Sequence, residues 1–387
     1  MALNILSPQE PRISQELRAF DLSRVNEVER RHQLLVEYQR LKGFDALLLQ
    51  SPEMFRWLTG GAENSRLGLP PFAALLITDE ARVVLCSQPD APQLFDRELN
   101  GLGFLVKERP WTEGAQTIRQ DCIRGRKIGG DVWFPGTENV AEDLVDFRLT
   151  LSEIEVAQVR DLGRTVAHAV EATARNMALG DSEFEVAGQL SHRLLRHGVT
   201  PVDTQVHGDG RGHRYRNWSG GGDCIEKSCV LSACGRRNGL HVRVARTVCF
   251  GEPVAEIQDT FDVASLLQAT AINFSMAGWS VKETWQRVER IYEKFGVPDE
   301  WRLAEQGELL GYSPNEERIS PQCSRTLSAN QVVSWHPSVR SSCVCDTILV
   351  QGESPEVLTP HENWPTITVR VRDHAIQRPG LLIREPA

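Results

Sequence analysis

The sequence has no apolar run approaching the roughly 20 residues that a membrane span requires. It has no basic excess either. Lys and Arg number 43 against 52 Asp and Glu, a net charge of -9. The basic face of a nucleic-acid binder is therefore missing, and acidic surface of this size mainly favours solubility. The opening MALNILSPQEPRISQE carries no basic segment and no long apolar core, so no secretory signal is read there. Nine cysteines include no paired CxxC pattern of a zinc site, and Cys343-Val344-Cys345 is a lone CxC. Free thiols in a reducing, cytoplasmic setting are the simplest expectation.

What is present is enough material for two or three globular domains: 387 residues with 41% hydrophobic content. Residues 1–20 read as an arm. A helix capped by Ser23 is expected to about Leu41, with Gly43 ending it. Strands are expected at 46–49, 72–77, 82–86, 103–106 and 127–133, with a helix at 112–123. This alternation implies an α/β domain. The pattern changes near residue 150, where a long helix is expected over 152–177. Ser182-Glu183-Phe184-Glu185 has capping-box spacing for a second helix reaching His197-Gly198. Further helices are expected at 259–277 and 281–295, and strands at 331–335 and 346–350.

The most informative stretch is Cys229–Glu252, CVLSACGRRNGLHVRVARTVCFGE. It reads as two strands joined at Asn238-Gly239, residues that supply positive φ readily. His241 and Arg243 alternate with Leu240, Val242 and Val244, which places the two polar side chains on one face. Gly235, Gly239-Leu240 and Arg246-Thr247 resemble the frame of the creatinase, prolidase and Xaa-Pro aminopeptidase superfamily. Met54–Gly60 resembles a segment of prolidase N-terminal domains, although a seven-residue apolar-aromatic stretch is more often core than site. The closing LTPHENWP resembles the end of the superfamily's last strand.

The resemblance implies an α+β protein, an N-terminal creatinase-like α/β domain (1–150) followed by a C-terminal pita-bread domain (151–387), and a homodimer. It also implies five positions where relatives bind two divalent metals. Carried over by local motif, these fall on Ala233, Arg243, Glu308 (before Gly311-Tyr312), His336 (before Pro337) and Cys345 (before Asp346). No family ligand is kept, and the five side chains sum to about zero charge. Two dications would stand uncompensated beside a guanidinium. The expectation is therefore no metal and no cofactor, with Arg243 and Glu308 paired to each other.

Creatinase shows that the superfamily can hydrolyse a C–N bond without metal. The expected function is then a metal-independent hydrolase or lyase acting on a small, anionic, amino-acid-like molecule. His213, His241 or His336 is the candidate proton carrier, and Arg216 and Arg243 are the candidate anion clamp. Tyr312, Glu316 and Glu317 are candidates on the substrate side. Cys345, His336 and Glu308 could instead form a nucleophile, base and orienter, or a single zinc site, or three unrelated replacements. The competing expectation is an inactive pseudoenzyme kept as a binding module. His207–Gly212 is glycine-rich but does not open a helix after a strand, so it is not read as a phosphate loop.

Overall fold

The computed structural model describes residues 21–66 and 69–385; the arm expected at 1–20 lies outside them. The chain divides into two compact units, Met1–Ala141 and Glu142–Ala387. Among the described residues no helix is long and apolar enough to cross a membrane.

In the first unit, α1 (Leu22–Lys42) starts two residues earlier than a Ser23 cap would place it. Its cap is Asp21, whose carboxylate accepts from the Ser23 and Arg24 N–H groups, and Gly43 at φ +69° closes it. Next come β1 (Ala46–Leu49), α2 (Pro52–Thr59), β2 (Ala73–Ile77), β3 (Arg82–Ser87), the single turn α3 (Ala91–Gln93) and β4 (Leu105–Arg109). The unit ends with α4 (Ala115–Ile123), β5 (Ile128–Gly130) and β6 (Thr137–Asn139). The strands form one mixed sheet in the order β4-β3-β2-β1-β5-β6. Met54 to Thr59 are all buried on α2, so that aromatic stretch is core.

In the second unit, α5 (Ala141–Leu149) leads to α6 (Glu153–Asn176) and α7 (Glu183–Arg196). The expected capping box is present at Ser182 and Glu185. A four-stranded sheet joins β7 (Thr200–Gly208), β8 (Ser228–Arg237), β9 (Leu240–Phe250) and β19 (Leu382–Arg384), in the order β19-β9-β8-β7. Helices α8 (Ala255–Asn273) and α9 (Val281–Lys294) follow. A second sheet has the order β11-β10-β12-β15-β16, from β10 (Gly307–Leu310), β11 (Glu317–Arg318), β12 (Val332–Trp335), β15 (Asp346–Leu349) and β16 (Glu356–Val357). Two small hairpins complete the unit: β13 (Ser338–Val339) with β14 (Ser342–Cys343), and β17 (Thr366–Val371) with β18 (His374–Pro379).

The central hairpin forms as its sequence suggests. Asn238 and Gly239 take φ +52° and +82°, and β8 and β9 pair from Ser228↔Cys249 to Arg237↔Leu240. Helix α6 lies against this hairpin at very short range. A Cβ on Gly235 would stand 2.6 Å from Val166 Cγ2 and 2.7 Å from Val199 Cγ1. Gly163, in the middle of α6, meets the Leu358 carbonyl so closely that a Cβ would come within 2.1 Å. That approach explains a helix-interior glycine that otherwise costs about 1 kcal/mol against alanine.

Beneath the sheets runs a fully buried charge cluster. Arg246 on β9 meets Glu171 of α6 at 3.1 Å and Asp346 of β15 at 2.9 Å. Asp346 also receives Arg378 of β18 and the Thr359 hydroxyl. The Arg246-Thr247 frame position is thus structural: one guanidinium ties a helix to both sheets.

A candidate active-site cleft between the two sheets

Strand alternation builds the floor of a cleft of about 240 Å³. Asp203, Gln205 and His207 of β7 share one face, Val230 and Ser232 of β8 continue it, and Arg243 of β9 completes it. Ala233 belongs to the opposite face, where it is paired with Val244 and buried. Ser232, one residue earlier, is the β8 side chain that faces the cleft. Placing Ala233 in the site is therefore corrected by the two-residue period of the strand.

The walls come from three other segments. The turn closed by Trp218 N–H donating to the Tyr215 carbonyl carries Arg216 and Asn217 at its apex, and both line the cleft. Glu308 enters from β10. His336 and Cys343 enter from the stretch between β12 and β15.

The charged side chains form an alternating row. Arg243 Nη1 lies 3.4 Å from Asp203 Oδ2, and its Nε lies 3.1 Å from Glu308 Oε1. The pairing of Arg243 with Glu308 is thus present, as charges in contact without hydrogen-bond alignment. Glu308 Oε2 accepts from His336 Nε2. Burial pushes the Glu308 carboxyl up, but His336 and then Arg243 outweigh it and hold the group below the ordinary carboxylate range. Burial likewise opposes the charge on Arg243, but Glu308, Cys234, Cys345 and Asp203 together outweigh that, so the guanidinium is firmly charged.

Arg216 is equally occupied: Nη2 pairs with Glu300, Nη1 donates to Ser338 Oγ at 3.0 Å, and Nε donates to the His213 carbonyl at 3.1 Å. Each arginine in the cleft therefore has a carboxylate partner, with Arg340 on Glu256. The candidate anion clamp, Arg216 and Arg243, therefore carries no excess of positive charge, because each guanidinium is matched by a carboxylate.

Other candidates lie elsewhere. His213 is exposed and faces a separate surface pocket with Asp209 and Glu226. His241 is buried with Nδ1 on the Gly311 carbonyl at 3.0 Å. Tyr312 is buried, away from the cleft. Glu316 is sealed against Arg148 at 2.7 Å, and Glu317 pairs with Arg325. His241, Tyr312, Glu316 and Glu317 are thus held by packing or ion pairs outside the cleft lining. Cys345 is also buried; its thiol sits 3.5 Å from Ser334 Oγ, and burial drives it well above the usual thiol range. The nucleophile–base–orienter trio is thus not assembled, since the sulfur of Cys345 does not line the cleft. Cys343 does, with burial pushing its thiol up to about 11.

Sequence reasoning missed His207, Asp203 and Ser232. The available signal was the i, i+2, i+4 polar set in Asp203-Thr204-Gln205-Val206-His207. The glycine-rich run after it is no phosphate loop, because its Asp209 carboxylate already accepts from the backbone of Glu226, Lys227 and Ser228.

Glu308 Oε1 lies against the Arg243 guanidinium and Oε2 against His336. Among the described residues no group of three or more His, Cys, Asp and Glu side chains is disposed to hold a metal ion.

One mixed and one antiparallel sheet with a cleft between them, in a chain that also carries a separate α/β unit, define a pita-bread protein. Residues 157–373 match metallopeptidase family M24, over half of the chain, and the chain belongs to that family. An uncharacterized peptidase of Staphylococcus epidermidis is 23% identical over 339 residues, spanning 82% of this chain and 95% of that protein. Among solved structures, the prolidase from Pyrococcus horikoshii superposes with a TM-score of 0.75 at 18% identity, covering 86% of this chain and 99% of that one. An Xaa-Pro dipeptidase from Bacillus anthracis also gives 0.75, at 15% identity over 92% and 100% of the two chains. At these identities the structural likeness carries the fold: an α/β domain followed by a pita-bread domain.

Proposed function

We propose that this M24 member works without the family's metal chemistry, as a hydrolase or lyase on a small amino-acid-like molecule. One observation carries this reading. His336 is held on Glu308 at the wall of a cleft, and its other ring nitrogen, Nδ1, has no hydrogen bond among the described residues. The residues present do not fit a pair of dications. Arg243 stands between two acids, and Glu308 is engaged on both oxygens. His336 is then the proton carrier, and Glu308 orients its ring and stabilises the imidazolium that forms.

The cleft volume of about 240 Å³ lies below the ~300–1,000 Å³ of pockets for drug-sized ligands, which supports a small substrate. Matched charges support a zwitterionic molecule over a simple anion, since no positive excess would draw the latter.

The test is to dialyse the protein against a chelator, confirm metal content by elemental analysis, and incubate it with dipeptides, amino-acid amides and guanidino and ureido acids. Mass spectrometry follows consumption. Expected is turnover without metal that falls about 10²-fold or more in His336→Gln, with the melting temperature held. Turnover that appears only with added divalent metal, or that ignores His336→Gln, overturns the reading.

A second reading has its own support. The row Asp203–Arg243–Glu308–His336 is satisfied internally, as a retained binding module would allow. Saturable binding of one of these compounds with no consumption at any metal concentration would favour it.

A further inference from the structure

We propose that His207 is a second proton-transfer residue of the cleft, its Nδ1 accepting a proton while His336 donates one. The inference rests on reading the cleft as an enzyme site. His207 stands on the floor strand β7, 8% exposed and lining the same cleft as His336. Its Nε2 lies 2.7 Å from the Trp218 carbonyl. A carbonyl only accepts, so Nε2 carries the hydrogen and Nδ1 is left as a lone pair. Among the described residues no group bonds that nitrogen.

Gly212, also a cleft residue, keeps it uncovered: a Cβ there would stand 2.9 Å from His207 Nδ1. The charged groups facing the ring are Glu183 of α7, Asp203 of its own strand and Arg216 of the turn, and burial outweighs the two acids, so the ring favours its neutral form. The two imidazoles are thus differently placed. His336 has Nε2 against a carboxylate, and His207 has Nε2 against a neutral carbonyl in a buried site.

In hydrolysis, His207 Nδ1 takes one proton from the attacking water, whose oxygen bonds to the substrate carbon. His336 gives its Nδ1 proton to the leaving nitrogen as the C–N bond breaks. Both rings return to their starting states by exchange with solvent, and no other reactant is needed.

The experiment uses the full chain without substrate. Histidine-selective ¹⁵N spectra, assigned with His207→Gln, report the tautomer at neutral pH, and diethyl pyrocarbonate followed by peptide mapping reports which ring nitrogens are open. The expected result is an Nε2–H tautomer at His207 and carbethoxylation of His207 in the folded protein while His241 is protected. Gly212→Ala should then lose most of the His207 modification with His207 itself intact, which keeps the test independent of whether His207→Gln folds. An Nδ1–H tautomer, or His207 protected like His241, makes the ring structural and overturns the proposal. Failure to find turnover would count against the proposed function and leave these readouts unchanged, so the two can fail separately.

Discussion

Replacing Arg246 with methionine should be among the most damaging single changes to the second unit. The buried cluster holds two guanidinium groups, Arg246 and Arg378, and two carboxylates, Glu171 and Asp346, all with side chains 3% exposed or less. Their charges cancel. Methionine fills much of the arginine's volume, so the cavity contribution is small, but Glu171 loses its 3.1 Å partner and Asp346 its 2.9 Å partner. Removing one member of a buried ion pair typically costs 3–5 kcal/mol, because the remaining charge is stranded away from water. In a unit of this size about 2–4 °C accompanies each kcal/mol, so the melting temperature should fall by roughly 6–20 °C. Differential scanning calorimetry reads this directly. The double change Arg246→Met with Glu171→Gln restores neutrality and should recover a large part of the loss. A fall of under 2 °C for the single change, or a double change worse than the single one, would refute the account of the cluster as a balanced set.

Two further changes follow from geometry and titration. Gly235→Ala forces a methyl against Val166 and Val199 and should cost about 1–3 kcal/mol by chemical denaturation, with Val166→Ala relieving part of it. Because burial holds His207 below its ordinary value, the unfolded chain takes up a proton that the folded ring resists. Stability should therefore fall as pH drops below about 6.5, the ordinary histidine value, and His207→Gln should flatten that slope. Glu308 adds a lower limb of its own: its stabilisation is complete above the ordinary glutamate range and is lost as pH falls through its depressed value.

The fold was legible wherever local chemistry and pattern agreed. The capping box at Ser182 and the Asn238-Gly239 turn each carry their own geometry, so the sequence located α7 and the central hairpin closely. Elements made by tertiary context were harder. Strand β10 is only Gly307–Leu310, too short for a period. The hairpin of β17 and β18 turns at Arg372 with φ +53°, a residue with no turn signature. Within the site, charge bookkeeping anticipated the meeting of Arg243 and Glu308, because buried opposite charges seek each other. Which side of a strand a residue faces depends on register, and so Ala233 was placed in the cleft where Ser232 stands. Burial of Glu316 and of the Cys345 thiol depends on long-range packing that no local pattern records.

The row from Asp203 through Arg243 and Glu308 to His336 joins strands of two different sheets. It is therefore a mechanical link as well as a set of charges. A positive residue at 243 is matched by the acids at 308 and 203, and an acid at 308 by the donors at 243 and 336. Neither position could change sign alone without stranding a charge. Close relatives should then carry 243 and 308 as a matched pair of opposite sign or as a pair of uncharged residues.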